Sequence, residues 1–440
     1  YRHAHADRER RARRADRADD RREQPRAAVE RPAVASLARA RAERVRPEQE
    51  KALLPFWADL ALDYRNNPDF LDKKIKEVAA LGDSIVPLLL EKLQPVQGGD
   101  ASRNLAANCR RVLEHLDPAS FLDALTEMAN GKAGTAREHA IRLLGHADTP
   151  RAAQVLGDLF ERTTGDERLL VLRGLRQREA AQVAGKVVGM LGSSDRGVRE
   201  EVLRYLVAAR PPQVATTVAQ ALATETDERL LALYIDYFAA AVRGNDAVAR
   251  ALLPLLDREK LDYQDTRRLV RSLATIAPHD HEPTVRRLQE LIVDGEPSSI
   301  SVEAAVTMRS LGEKQGVTKV TRQLTDLLRK PNRRRDATLF ELRASLQFEI
   351  GEFADAADDY EKILEFTNGP SMSRRAYVGL IKCEAHRRKT SNAIKHMKNS
   401  GMLVADIVAI GQDDEAVRVL LDQEKVRSFL QQQAKEQAPK

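Results

Sequence analysis

The chain has 440 residues, of which 42% are apolar, 4% aromatic and 31% charged, and it carries a formal net charge of +6. It holds no apolar run of the roughly 18 residues that a membrane-spanning helix needs, and its two cysteines, Cys109 and Cys383, are too few for a disulfide framework. The positive charge is local: residues 1–50 contain fifteen Arg against ten Asp or Glu, whereas the other 390 residues contain 57 basic and 56 acidic side chains. A nearly neutral body argues against a folded face built to grip nucleic acid, because that footprint should lie on the folded part.

In chain order, residues 1–50 form an Arg/Ala-rich tail interrupted by Pro25, Pro32 and Pro47. With few large apolar residues it cannot bury enough surface to offset its ordering entropy, so a disordered or charged-helical segment is expected. Residues 51–68 then bring Leu53, Leu54, Phe56, Trp57, Leu60 and Leu62, which read as a capping helix with Trp57 in its core. From residue 69 to 330 two kinds of segment alternate. One opens with an acidic or hydroxyl residue, then Arg, then a helical apolar run: TAREHAIRLLG from Thr135, GDERLLVLRGL from Gly165, SDRGVREEVLRYL from Ser194 and TDERLLALYIDYF from Thr226. The other is built on V-x-x-x-(L/V), as in Val183 with Val187, Val214 with Val218 and Val248 with Leu252. The period is close to 31 residues from 135 to 229 and loosens afterwards, and two helices per period predict an all-α stack of about eight helical hairpins, an α-solenoid.

The segment ALGDSIVPLLLEKL and the recurring (D/E)xxxR…LG pattern resemble HEAT-like repeats of the short variety also found in phycobilisome (PBS) lyases, over roughly residues 69–330. Residues 337–370 resemble a tetratricopeptide repeat: Gly351, Phe353, Ala356 and Tyr360 keep that motif's spacing and Ala344 stands at its small position, although the opening Trp and Leu anchors are missing and Ile363 replaces the usual Ala. A weaker second unit spans 376–401, so residues 331–401 are read as tetratricopeptide-like helices. Residues 402–440 are read as short C-terminal helices ending in a polar tail.

The chain shows no Walker loop, GxSxG, HExxH, CxxC or dinucleotide fingerprint; NGKAGT at 130–135 has Gly-Lys without the upstream Gly or the following Ser/Thr. No catalytic, cofactor or metal residue is therefore assigned. His279-Asp280-His281-Glu282 reads as a solvated loop before an acidic helix start, since stable metal sites draw ligands from separate elements. Arg137, Arg168, Arg199, Arg229 and Arg267, with a second row at Arg142, Arg173, Arg204 and Arg271, would align as ladders in a stack. They serve either as a stripe for phosphates or acidic partners, or as internal ion pairs with Asp166, Asp195, Asp227 and Asp265; near-neutrality favours the pairs.

Candidate partner-binding residues are the aromatics Tyr234 and Tyr237, and Arg286, Arg287, Lys319 and Arg322 on the second helices that would line a concave groove. The resemblance implies a non-enzymatic scaffold or adaptor that binds protein partners, usually inside a larger complex, and that needs no cofactor; the Arg- and Ala-rich usage points to a bacterial source. Two alternatives stay open: nucleic-acid association through the Arg-rich tail, and an anchored or exported accessory subunit of an envelope complex. A reduced, cytoplasmic setting is expected from the cysteines, with a periplasmic or membrane-associated one if a signal or anchor precedes Tyr1. A chromophore lyase, suggested by related short repeats, finds no specific residue in its support.

Overall fold

The computed structural model describes residues 47–64, 67–94, 99–257, 261–367 and 369–437. The Arg-rich tail falls outside the described residues except for its last four positions. The described residues are helical almost throughout and include no strand. None of these helices is long and apolar enough to cross a membrane. The chain divides into two compact units, residues 1–152 and 153–440. The division falls inside the stretch read as one array.

In the first unit the expected cap is a turn of helix, Trp57–Leu60, preceded by a 3-10 turn at Leu54–Phe56 where Pro55 cannot donate. Leu53 and Leu60 are its buried residues, while Trp57 is only half-buried, with the Lys92 ammonium 5.6 Å above its ring. The side chain of Asn108 ties the cap down by donating to the Leu60 carbonyl at 2.9 Å. Behind it, Pro68–Ala79 packs on Asp100–His115, which in turn packs on Thr135–His146. Fully buried Ala106, Cys109, Val112 and Leu113 recur at helical spacing on the middle one of these. Cys109 is a free thiol whose burial pushes its pKa up to about 12.

The second unit is built from helices two apart in sequence that touch one another. Gly165–Gln177, Arg196–Ala209, Glu228–Ala241, Tyr263–Ile276 and Ser299–Ser310 form one such succession. Ala215–Thr224, Asp246–Leu252 and Glu282–Leu291 form another. The first row is long and regular because Leu, Val and Ala recur at i, i+3, i+4 and i+7; each fully buried Leu there contributes about 2 kcal/mol. The second row is shorter than its apolar pattern predicts. Residues 179–191 become one helical turn, Ala184–Val187, between 3-10 segments, because Gly185 and Gly189 carry no favourable propensity. Residues 246–257 turn 3-10 at Leu253, where Pro254 removes a donor.

From residue 337 the pattern changes to longer helices: Ala337–Glu349, Phe353–Phe366, Pro370–His386 and Thr390–Ser400, each packed on the next. Gly351 makes the tight turn between the first two at φ +88°, a conformation that favours glycine. The Tyr360 ring lies so close to Gly379 that an added Cβ would sit 2.4 Å from it. Arg343 grips buried Asp359 through two bonds of 2.7 Å. Three further helices, Val404–Asp413, Glu415–Leu421 and Glu424–Gln437, share a core cluster with the two before them, in which Ile381 and Met397 meet Ile407, Val417, Leu420 and Val426. Cys383 is free and buried, its pKa likewise raised to about 12.

Candidate functional site

Four arginines of the second unit's rows, Arg173, Arg199, Arg267 and Arg271, form internal ion pairs, but their carboxylates are not the aspartates at the helix starts; Arg168 instead donates to the Thr163 carbonyl and Arg204 pairs with Glu200 on its own helix. Arg199 holds Glu225 through Nε–Oε2 at 3.0 Å and Nη2–Oε1 at 3.1 Å, and the Glu225 side chain is only 3% exposed. Glu201 receives Arg173 at 3.2 Å and Arg176 at 2.8 Å. Glu303 receives Arg271 at 2.7 Å and Arg267 at 3.4 Å. Each of these glutamates is buried and lies 25 to 36 residues after its arginine. The aspartates do a different job. Asp195 and Asp227 accept backbone N–H groups at 2.7 and 3.0 Å, and so cap the helices they precede. The pairing expectation therefore holds for these rungs with different partners. Glu201, Glu225 and Glu303 do not follow the 31-residue period, so spacing along the chain did not mark them and sequence proximity pointed to the aspartates.

Tyr234 and Tyr237 are not surface anchors. Both are fully buried, with Tyr205 and Phe238, and burial raises the phenol pKa of all three tyrosines. The Tyr237 hydroxyl donates to the Pro211 carbonyl at 2.7 Å and that of Tyr205 to the Ala180 carbonyl. These tyrosines knit one hairpin to the loop of the preceding one. The aromatic density that suggests an interface from sequence is satisfied inside the core, where a large ring with one polar tip buries well if the tip finds a carbonyl.

The four basic candidates separate. Arg286 is exposed and pairs with Glu282 one turn away at 2.7 Å. Arg287 is half-buried between Asp257 and Glu290. Lys319 and Arg322 line a cleft of about 540 Å³ together with Gln289, Ile292, Met308, Lys314, Gln315, Gly316 and Thr318. Its wall is the first half of Gln315–Arg329, where residues 315, 318, 319 and 322 share one helix face. Behind it Ile292 and Met308 are buried, and Gly316 lets the helix pack closely on them, since a Cβ there would lie 2.9 Å from the Met308 sulfur and 3.2 Å from Ile292 Cδ1. Lys319 is fixed by donating to the Ile292 carbonyl at 3.0 Å and by Asp294 at 2.9 Å, a contact that lowers the Asp294 pKa. Arg322 is exposed and makes no ion pair among the described residues.

The His279–Glu282 turn is structural. His281 is buried, with Nδ1 against the Thr284 hydroxyl at 2.7 Å and Nε2 against Asp246 at 2.8 Å. This Thr–His–Asp chain resembles a nucleophile relay, yet Thr284 is 0% exposed and no substrate can reach it. His279 turns instead to Asp280 at 2.8 Å. Among the described residues no three His, Cys, Asp or Glu side chains converge as a metal site would require. No protein-family model matches the chain, and no curated protein matches it significantly.

Proposed function

We propose that the protein is a non-enzymatic scaffold, an α-solenoid of HEAT-like hairpins continuing into tetratricopeptide-like helices, and that it binds protein segments along its helical surface. The cleft at residues 289–322 carries this reading. Lys314, Lys319 and Arg322, set with Gln289, Gln315 and Thr318 around the cleft, suit an acidic segment laid along it. The cations select the acidic side chains and speed encounter. The helix stacking favours such a role because hairpins packed neighbour on neighbour present extended surface.

The test is fluorescence anisotropy with a labelled Asp/Glu-rich peptide. The double variant Lys319→Glu/Arg322→Glu should weaken binding by at least about tenfold, and binding to the unaltered protein should fall as salt rises. Equal affinity of the variant and the parent would remove the cleft from the interface. Native purification should also recover a stoichiometric protein partner, and a partner-free protein would count against the scaffold role.

A further inference from the structure

The near-neutrality of the chain beyond the tail hides an uneven distribution of charge. Residues 314–335 hold eight basic side chains and a single acidic one, Asp326. The other 368 residues between 51 and 440 hold 49 basic and 55 acidic side chains. The net positive charge of that part therefore sits in one helix, Gln315–Arg329, and the turn that follows it. This is the helix whose first half walls the cleft, and Lys314, Lys319 and Arg322 line that cleft.

The helix and the turn are fixed from one flank. The loop after Glu282–Leu291 runs beside the helix: Lys319 donates to the Ile292 carbonyl at 3.0 Å and Gln323 to the Val293 carbonyl at 2.9 Å. The same loop then supplies Asp294 to Lys319 at 2.9 Å and Glu296 to Arg333 at 2.6 and 2.9 Å. Arg333 also reaches Asp336 at 2.9 Å, and the backbone N–H groups of Arg333 and Arg334 both donate to the Lys330 carbonyl, so the turn has a defined shape. The other flank is open. Residues 315, 318, 322 and 329 share one helix face and are all exposed. Carboxylates do not cancel this face. Glu313 accepts the Gln315 N–H at 2.7 Å, and Asp326 takes Arg329 at 3.4 Å. Together with Asp294, Glu296 and Asp336 that makes five carboxylates against eight cations, a local excess of three. Lys314, Arg322, Lys330, Arg334 and Arg335 are exposed and make no ion pair among the described residues; Arg335 stands 5.9 Å over the Phe366 ring.

We propose that the acidic segment bound at the cleft continues as an extended chain along the open face of Gln315–Arg329 and onto the basic turn at 330–335. This rests on the proposed role of the cleft and sets the size and charge of its partner: a polypeptide stretch acidic over about ten residues. The helix is about 22 Å long, a length that an extended segment covers in about seven residues. The turn takes the residues beyond. Arg322, Arg329 and Arg334 offer paired N–H donors that suit carboxylates, while Lys314 and Lys330 act as point charges. A protein segment fits better than nucleic acid. An excess of three charges, interrupted by Asp326, is small beside the six or so phosphate contacts of a typical nucleic-acid site, and no aromatic side chain lines the cleft for a base to stack on.

The test is anisotropy of the full-length protein with two labelled Glu-rich peptides, of about four and about ten residues, the shorter able to fill only the cleft. The longer should bind about tenfold or more tightly, with the steeper loss of affinity as salt rises. Lys330→Ala/Arg334→Ala, at two exposed positions, should reduce that advantage to less than about threefold and leave the shorter peptide's affinity unchanged, which also reports an intact fold. Lys319→Glu/Arg322→Glu should weaken both peptides. Equal affinity for the two lengths, or a longer-peptide affinity untouched by Lys330→Ala/Arg334→Ala, would overturn the extension and leave the cleft reading standing. Binding of neither peptide would remove the cleft reading and the extension together. A single-stranded oligonucleotide of about ten nucleotides that binds more tightly than the longer peptide would overturn the assignment to a protein partner.

Discussion

The two units differ in how their recurring arginines are paired. In residues 153–440 Arg173, Arg199, Arg267 and Arg271 close on buried glutamates of later segments and hold neighbours together, whereas Arg204 stays with Glu200 on its own helix. In residues 1–152 Arg110 pairs with Glu114 on its own helix, Arg111 and Arg142 make no ion pair among the described residues, and His139 stands where the helix Arg196–Ala209 carries Glu201. Helices that share an apolar spacing can thus keep their packing while their charged positions are paired differently. Buried aliphatic positions such as Ala140, Leu143 and Leu144 do not register the exchange at all.

The largest effect should come from breaking a filled rung. Glu225→Gln leaves Arg199 without its counter-charge in a nearly dry site, and urea denaturation of the variant should show a loss of about 3 kcal/mol. A loss below about 0.5 kcal/mol would place that pair among surface bridges and erase the contrast between the units. The second test is pH. Because the folded-state pKa of His139 is depressed from 6.5 to about 4, the unfolded chain binds the proton more readily. The resulting stability is fully present above about pH 6.5 and is lost as pH falls towards 4. His139→Gln should flatten that part of the stability profile, measured by thermal melts across that range. The smallest effect belongs to Arg286→Ala. Its partner Glu282 is 80% exposed and Arg286 itself 71%, so the change should cost less than about 0.5 kcal/mol by the same denaturation assay.

Much of the helical layout was legible in the sequence, because apolar spacing and the Asp, Ser and Pro starts act locally. The helices Thr135–His146, Gly165–Gln177, Arg196–Ala209 and Glu228–Ala241 begin within two residues of the segments read from Thr135, Gly165, Ser194 and Thr226. Gly185, Gly189 and Pro254 were visible too, but their shortening of the second-row helices competes with an intact apolar pattern. The candidate site was legible only in part. Lys319 and Arg322 share a helix face, which spacing reveals; that the face borders Ile292 and Met308 depends on two other helices. Tyr234 and Tyr237 show the reverse error, since composition counts aromatics without saying which side of a helix is covered.

By itself, then, the sequence determined an all-helical chain, the period of its hairpins, two reduced thiols and a charge balance in which most cations find anions. Which cation finds which anion was decided only by tertiary structure. Helix propensity and capping are settled within one turn, so they can be read along the chain. A buried ion pair joins residues 25 to 36 positions apart, and choosing Glu225 over Asp227 for Arg199 requires knowing which carboxylate the packing has withdrawn from water. The same reason hid the setting of His139, which is unremarkable on its own helix and is buried only because Thr135–His146 packs on Asp100–His115.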